Sequence, residues 1–388
     1  MNSIQAFNKI WDVVKGTSNW RTMEATVEGS EWHREANVAV HTTMCIEHYI
    51  ANTASQRSER EQILTLVTLL FHDFGKPEAE EHVTKDDGSV YRRYAGHEPV
   101  SANEFISFVC DHPEVVKMFA DVGIGWGEIM KIKFMIENHL PYGLKNEQKV
   151  KNFRATVIGV LGADEQCFYD QLWSDCNGRI SDDHETKRQK VVDWVQWFKA
   201  IEPAVVKKCV SDKVMYVLCG VVGVGKSTWT KQFKSLNKGA EIIVISEDTY
   251  REDLYRASMT AVEAEAYKAL SRKEQYAVAW QWCADSGTVY EQYVKAQLAA
   301  AVSSGATLVL DRTNQTRKSR SKWITAAKQK GYKVVAVQFY CSERVMHERQ
   351  KSRADKDVPY RRAHEIFMKM ETPWYPIEVD DVEIVPPF

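Results

Sequence analysis

The chain has 388 residues, room for two or three ordinary domains, and its 44% hydrophobic and 27% charged residues are typical of folded globular protein. Disorder is therefore not the default. With no apolar run of membrane-spanning length and no basic, apolar leader over Met1–Ile10, the sequence predicts a cytoplasmic protein with no membrane partner. The net charge of −2 conceals an asymmetry: up to Pro203 there are 22 Lys and Arg against 31 Asp and Glu, a balance of −9, and the remainder has 29 against 22, a balance of +7. The second part is therefore the one suited to a polyanion, the alternative being an uneven surface composition. Eight cysteines, at 45, 110, 167, 176, 209, 219, 283 and 341, show no Cys-x-x-Cys spacing. They point away from a zinc ribbon or a disulfide framework and read as buried apolar residues.

From Ile4 to about Pro203 apolar residues recur at three- and four-residue spacing, as in Ile63, Leu66, Val67 and Leu70 or Val191, Val192, Val195 and Phe198. This predicts an all-α unit. After Ser211 the rhythm changes to short β-rich segments, Val214–Cys219, Ile242–Ile245, Thr307–Leu310 and Val334–Phe339, alternating with helices. Such alternation predicts a parallel sheet with right-handed crossovers. The boundary lies near residues 203 to 213, giving two domains, 1–205 and 206–388, with no internal repeat.

Within the first domain, Phe71-His72-Asp73-Phe74-Gly75-Lys76-Pro77 ends an apolar helix in an adjacent His and Asp and then stops it with Gly and Pro. Both side chains suit a catalytic divalent cation; a polar helix terminus with His near the negative end of the dipole is the alternative. Lys85-Asp86-Asp87-Gly88 matches the short lysine motif of covalent nucleotidyltransferases, but Asp-Gly after charged residues is turn chemistry, and a turn is expected.

In the second domain, Gly220-Val221-Val222-Gly223-Val224-Gly225-Lys226-Ser227-Thr228 follows an apolar strand and opens a helix. This is a complete phosphate-binding loop: its backbone N–H groups face a phosphate, Lys226 reaches the β and γ phosphates, and Ser227 holds Mg²⁺. The next strand runs into Glu247-Asp248-Thr249-Tyr250-Arg251. An Asp there is placed to take the proton from an attacking hydroxyl, and an Arg three residues later to grip a neighbouring phosphate. The segment 253–303 is rich in aromatic residues, Tyr255, Tyr267, Tyr276, Trp280, Trp282, Tyr290 and Tyr293, which either pack helices or stack on bases.

The series Glu31-Trp32-His33-Arg34-Glu35 to His41, then His72-Asp73, Gly96-His97-Glu98, Glu137-Asn138-His139 and Ser174-Asp175-Cys176-Asn177-Gly178-Arg179 resembles the HD phosphohydrolase superfamily. It is similar above all to the HD domains attached to tRNA nucleotidyltransferases, over most of residues 30 to 185. The resemblance implies an HD-type helical bundle in which His41, His72, Asp73 and Asp175 hold a metal. It also implies that His97 and His139 hold a second metal or contact the phosphate being cleaved. One or two divalent transition metals (Mn, Co, Ni, Zn or Cu) are expected. His33 either orients substrate or packs beside Trp32, and Lys76 either neutralises the same phosphate or is a solvated lysine. His48, His82, His112 and His184 fit no place in the series and are expected on the surface or in packing.

Asp248-x-x-Arg251 resembles the 5′-hydroxyl polynucleotide kinases. Leu308-Val309-Leu310-Asp311-Arg312-Thr313-Asn314 is similar to that family's third strand, which implies Asp311 and Asn314 at the substrate, although Arg312 is inserted where some members run Asp-Thr-Asn. Glu348-Arg349-Gln350-Lys351-Ser352-Arg353 resembles the family's helical lid, implying that Arg349 and Arg353 close over the transferred phosphate. Glu371-Thr372-Pro373-Trp374 through Glu383 resembles its tail.

Together the halves resemble the HD-domain polynucleotide kinases over nearly the entire chain. That resemblance implies a bifunctional enzyme that heals RNA or DNA ends. An α/β P-loop kinase using ATP or another NTP with Mg²⁺ would phosphorylate a 5′-hydroxyl, the HD domain would remove a 2′,3′-cyclic, 2′- or 3′-phosphate, and a separate ligase would follow. The alternatives are a nucleoside or metabolite kinase fused to an HD nucleotidase, and an ATP-switched RNA-binding regulator.

Overall fold

The computed structural model describes residues 2–28, 33–207 and 209–387. The chain divides into two compact units, Met1–Val206 and Lys207–Phe388. Among the described residues no helix is long and apolar enough to cross a membrane.

The first unit is built on the helix Glu59–Phe71, opened by a capping box between Ser58 and Glu61. Every residue from Ile63 to Phe71 is buried, as in a helix surrounded on all sides. Helices Ser3–Lys15, Val38–Asn52, Trp126–Glu137 and Glu165–Asn177 pack around it. Leu64, Leu66, Val67, Leu69 and Leu70 have no exposed surface, and each contributes roughly 1.5–3 kcal/mol of burial. Phe71 closes the lower end against the rings of Phe74, Phe105 and Phe108, 4.7–5.1 Å between centroids.

Gly75 is the point at which this helix hands over to the next. A β-carbon there would lie 2.5 Å from the Ser101 amide nitrogen and 2.6 Å from the His97 carbonyl oxygen. Without one, the helix His97–Asp111 comes up against residues 72–76, and the Gly75 N–H donates to Ser101 Oγ at 2.8 Å. This close approach brings His97 beside Asp73.

The expectation of an all-α unit needs one correction. Strands β1 (Glu81–Thr84) and β2 (Val90–Arg93) form an antiparallel hairpin. The turn expected over Lys85–Gly88 is its tip, with Gly88 at φ 81° and its N–H donating to the Lys85 carbonyl at 2.9 Å. Both strands are exposed on nearly every residue, so they lack the apolar alternation that marks a half-buried strand in a sequence.

In the second unit β3 (Val214–Cys219), β4 (Ile242–Ile245), β5 (Thr307–Asp311), β6 (Lys333–Phe339) and β7 (Asp381–Val385) form one sheet in the order β4-β5-β3-β6-β7. Every neighbouring pair is parallel, as the sequence predicts. β5 and β6 are each one residue longer than expected. The edge strand β7 is an addition to the expected set, because Asp381-Val382-Glu383-Ile384-Val385 is only half buried. Met215, Val217, Leu308, Leu310, Trp323, Val334 and Ala336 form the centre of the unit's core. From β3 the chain moves to one side for β4 and β5, then crosses to the other for β6. The crevice beyond the carboxyl end of β3 is therefore the switch point at which ligands bind in such sheets.

Candidate functional site

In the first unit six ionisable side chains converge in the interior. His41 lies in the first turns of helix Val38–Asn52, which Asn37 caps by accepting from the Val40 N–H at 2.9 Å. His72 and Asp73 follow Glu59–Phe71, His97 opens His97–Asp111, His139 follows Trp126–Glu137, and Asp175 lies near the end of Glu165–Asn177. None is more than 7% exposed. Burying so many charged and polar groups costs several kcal/mol unless something compensates them.

The compensation is visible in the spacing. His41 Nε2 lies 3.3 Å from His72 Nε2, 3.4 Å from Asp73 Oδ2 and 3.2 Å from Asp175 Oδ1. His72 Nε2 lies 3.2 Å from Asp73 Oδ2 and 3.8 Å from Asp175 Oδ1. Ligands about 2.0–2.2 Å from one ion are separated by roughly 3.0–3.6 Å, and four of these five distances fall in that range, with His72–Asp175 slightly beyond it at 3.8 Å. The other carboxylate oxygen of Asp73 begins a second set: Oδ1 is 3.1 Å from His97 Nε2 and 3.7 Å from His139 Nε2, which are 3.1 Å apart. Asp73 thus faces two sets of imidazoles, one with each oxygen.

The ring orientations agree. Nδ1 of His72, His97 and His139 lies 2.7–2.8 Å from the carbonyls of Leu69, Tyr94 and Ile136, each three residues earlier. A carbonyl only accepts, so Nδ1 carries the proton and each Nε2 presents a lone pair. Lone pairs of His97 and His139 facing each other at 3.1 Å repel unless a proton or a metal cation lies between them. The residues therefore fit divalent ions. Burial pushes the carboxyls of Asp73 and Asp175 upward, but the adjoining His72 and Lys76 for Asp73, and His41 and His72 for Asp175, hold both below the usual carboxylate range.

Three further side chains support this centre beyond the ligands expected from the sequence. Glu35 Oε1 lies 3.3 Å from His41 Nδ1 and accepts from the Ile180 N–H at 2.9 Å, so His41 alone is oriented by a carboxylate where the other three histidines use carbonyls. Cys45, one turn after His41, places Sγ 3.5 Å from His41 Nε2 and belongs to the same buried group. Glu28 holds Lys76 Nζ at 2.6 Å while Asp73 Oδ2 lies 2.8 Å away, so Lys76 is a buried member of the cluster and not a solvated lysine. His33 sits edge-on to His41 at 4.7 Å, with Nδ1 3.7 Å from Glu35 Oε2, outside both ligand sets; Trp32 lies outside the described residues. His112 stacks on Phe108 and His48 packs near Trp173, as histidines in packing do. An open cleft of about 1300 Å³ leads to Asp73, His97, His139 and Asp175.

In the second unit the loop 220–225 links β3 to helix Lys226–Leu236, and Gly225, at φ 108°, adopts a conformation open chiefly to glycine. Lys226 is buried, and its Nζ donates to the carbonyls of Gly220 and Val221 at 2.8 and 2.7 Å. Burial lowers it to about 8. Val224 is buried, whereas Thr228 is exposed on the first turn of the helix. Ser227 Oγ donates to Asp311 Oδ2 at 3.1 Å, so the carboxylate ending β5 stands beside the phosphate loop. Asn314, expected at the substrate, is instead 1% exposed and donates its amide to the Leu218 and Leu310 carbonyls, so its side chain is occupied in holding the sheet. The inserted Arg312 pairs with Glu247 at 2.7 Å.

Asp248 lies in the first turn of helix Glu247–Ser258, after β4, with Arg251 3.1 Å from its Oδ1. Two partners join it from distant parts of the chain. The Tyr276 hydroxyl donates to Oδ1 at 3.3 Å, and Lys356 forms an ion pair with Oδ2. Burial raises Asp248, but Lys356, with Arg251 and the Tyr276 hydroxyl, holds the carboxyl below its usual range. Arg349 donates to the Gly223 carbonyl at 3.3 Å, and Arg353 is bound to Asp355 at 2.6 Å. The neighbouring aromatic residues are largely packing: Tyr255 contacts Tyr267 and Trp282, and Tyr250 contacts Tyr293.

A family model described as an AAA domain matches residues 215–373. Two solved structures are similar. A chain of the PezAT chromosomal toxin–antitoxin system of Streptococcus pneumoniae is 18% identical with a TM-score of 0.25, over 41% of this chain and 57% of that one. A gluconokinase from Sinorhizobium meliloti 1021 is 18% identical with a TM-score of 0.28, over 46% of this chain and 85% of that one. No curated protein sequence matches the chain.

Proposed function

With a P-loop kinase-like domain as its second unit, we propose that the chain is a bifunctional nucleic-acid end-healing enzyme. The second unit phosphorylates 5′-hydroxyl ends with ATP, and the first removes phosphate from 3′ ends. Two observations on one chain support the reading: a phosphate loop with Asp311 beside it and Asp248 paired with Arg251 after β4, and, in the other unit, Asp73 shared between two imidazole sets.

In the kinase the loop amides and Lys226 hold the β and γ phosphates, and Lys226 leaves its loop carbonyls for them. Ser227 and Asp311, already hydrogen-bonded, would hold Mg²⁺. Asp248 takes the proton as the 5′ oxygen attacks the γ phosphorus and the bond to the β–γ bridging oxygen breaks. Arg251 grips the adjoining substrate phosphate, and Arg349 and Arg353 offset charge on the migrating group.

In the hydrolase His41, His72, Asp73 and Asp175 would hold one ion, and Asp73, His97 and His139 a second. When bound, such ions supply an activated water and neutralise the phosphoryl oxygens. Lys76 balances the terminal phosphate and keeps Asp73 ionised. The products, a 5′-phosphate and a 3′-hydroxyl, are the ends a ligase joins.

The test is mass analysis of an RNA oligonucleotide bearing a 5′-hydroxyl and a 2′,3′-cyclic phosphate after incubation with ATP, Mg²⁺ and a panel of Mn, Co, Ni, Zn and Cu. Phosphate gain at one end and loss at the other is the expected result. Equal phosphorylation of free nucleosides would favour a nucleoside kinase, and no turnover with any metal would favour a binding regulator.

A further inference from the structure

The cleft that ends at Asp73 has a volume of about 1300 Å³, beyond the roughly 300–1,000 Å³ of small-ligand pockets. Its walls differ in charge from one end to the other. The carboxylates lining it are Asp73, Asp175 and Glu28; the first two belong to the metal-ligand sets and the third is taken by Lys76. Away from them the charged lining is basic: Lys85, Arg92 and Arg93 on the β1–β2 hairpin, and Lys187 and Lys190 on helix His184–Ala200. Lys190 is exposed, while Arg92 and Arg93 pair with Glu80 at 3.1 Å and Glu81 at 2.6 Å. Those pairs are partly or fully solvent-facing and therefore weak, so a phosphate competes for both arginines at little cost.

Aromatic rings are interleaved with these charges. Tyr91 and Tyr142 on the cleft wall are 40% and 37% exposed, and Trp194 stands edge-on to Tyr142 at 5.3 Å. A basic groove with accessible rings is how proteins hold single-stranded nucleic acid: the cations follow the backbone and the rings stack on bases. This groove lies in the half of the chain whose balance is −9, so net charge alone does not point to it.

We infer that the cleft seats the last several nucleotides of a single-stranded polynucleotide. Its backbone runs along the hairpin and helix His184–Ala200, with bases on Tyr91 and Tyr142. The placing of its terminal phosphate at Asp73 rests on the proposed hydrolase activity; the binding of the strand does not.

The test uses the full chain and a 5′-fluorescein single-stranded RNA decamer ending in a 3′-phosphate, with anisotropy as readout and a nucleoside 3′-monophosphate as competitor. Joint Arg92→Glu and Lys190→Glu substitution is expected to weaken decamer binding by on the order of tenfold or more and to flatten its salt dependence. Joint Arg92→Lys and Lys190→Arg substitution is expected to retain it, which separates charge from folding. Unchanged decamer affinity in the charge-reversed protein, or equal losses in the two double variants, would overturn the inference. If the wild type binds the decamer as expected but releases no phosphate with any divalent metal, the hydrolase reading falls and the strand-binding cleft stands. If decamer and mononucleotide are hydrolysed with equal KM, the hydrolase reading stands and the cleft inference falls.

Discussion

Replacing Gly75 with alanine tests how the fold builds the proposed metal centre without touching a proposed ligand. The added β-carbon would meet the Ser101 nitrogen at 2.5 Å, against 3.4 Å for ordinary contact, so helix His97–Asp111 must retreat by about 0.9 Å at that turn. His97 opens the same helix and moves with it, whereas a metal site tolerates only about 0.2 Å in a ligand distance. Overpacking of this kind costs about 1–3 kcal/mol, and weakening the Gly75–Ser101 hydrogen bond about 1 more. For a unit of this size that lowers Tm by roughly 4–16 °C. Elemental analysis of dialysed, metal-loaded protein is expected to show two ions per chain falling to one, because His41, His72, Asp73 and Asp175 do not depend on that helix. Kinase activity should persist. Unaltered metal content together with a Tm within about 1 °C of wild type would refute the reasoning.

Other consequences are open to measurement. Glu35→Gln should weaken binding at the His41 set by about 10–100-fold in a chelator competition, since the carboxylate orients that imidazole; unchanged affinity would reduce Glu35 to a structural role. Lys356→Ala should move the acidic limb of the kinase pH profile upward. Lys356 holds Asp248 down, a base works only when deprotonated, and removing the cation raises the pH at which it becomes available. Asp164→Asn should cost about 2 kcal/mol in urea denaturation at neutral pH, because Arg60 and Lys131 hold the Asp164 carboxyl at 2.5–2.9 Å. Burial raises that carboxyl and the two cations more than offset it, so its folded value lies below its unfolded one. The stabilisation is complete above roughly pH 4 and disappears as pH falls through the folded value, so the two proteins should converge in acid.

What the sequence discloses depends on whether a feature is written locally. The phosphate loop is nine consecutive residues, and the strands of the sheet interior are short apolar runs, so both are legible from the order of residues alone. His72 and Asp73 are adjacent, and the other members of the buried cluster are recognisable by their order along the chain. Glu35 and Cys45 carry no such mark: Glu35 acts by meeting Ile180, 145 positions away, and a lone buried cysteine looks like any other apolar residue. Lys356 and Tyr276 meet Asp248 from 108 and 28 positions distant. The hairpin is exposed on both faces and β7 is a half-buried edge, so neither shows the expected alternation. The basic cleft is hidden for a different reason, since acidic residues elsewhere in the first unit outnumber the cations that line it.

The central claim is that one chain carries two independent phosphoryl centres. The most direct test assays one RNA oligonucleotide, with a 5′-hydroxyl and a 3′-phosphate, against Lys226→Ala and Asp73→Ala proteins in the presence of ATP, Mg²⁺ and a transition metal. Lys226→Ala should abolish 5′ phosphorylation and leave 3′ dephosphorylation intact, and Asp73→Ala should do the reverse. Loss of both activities from either single change, or of neither, would contradict the account.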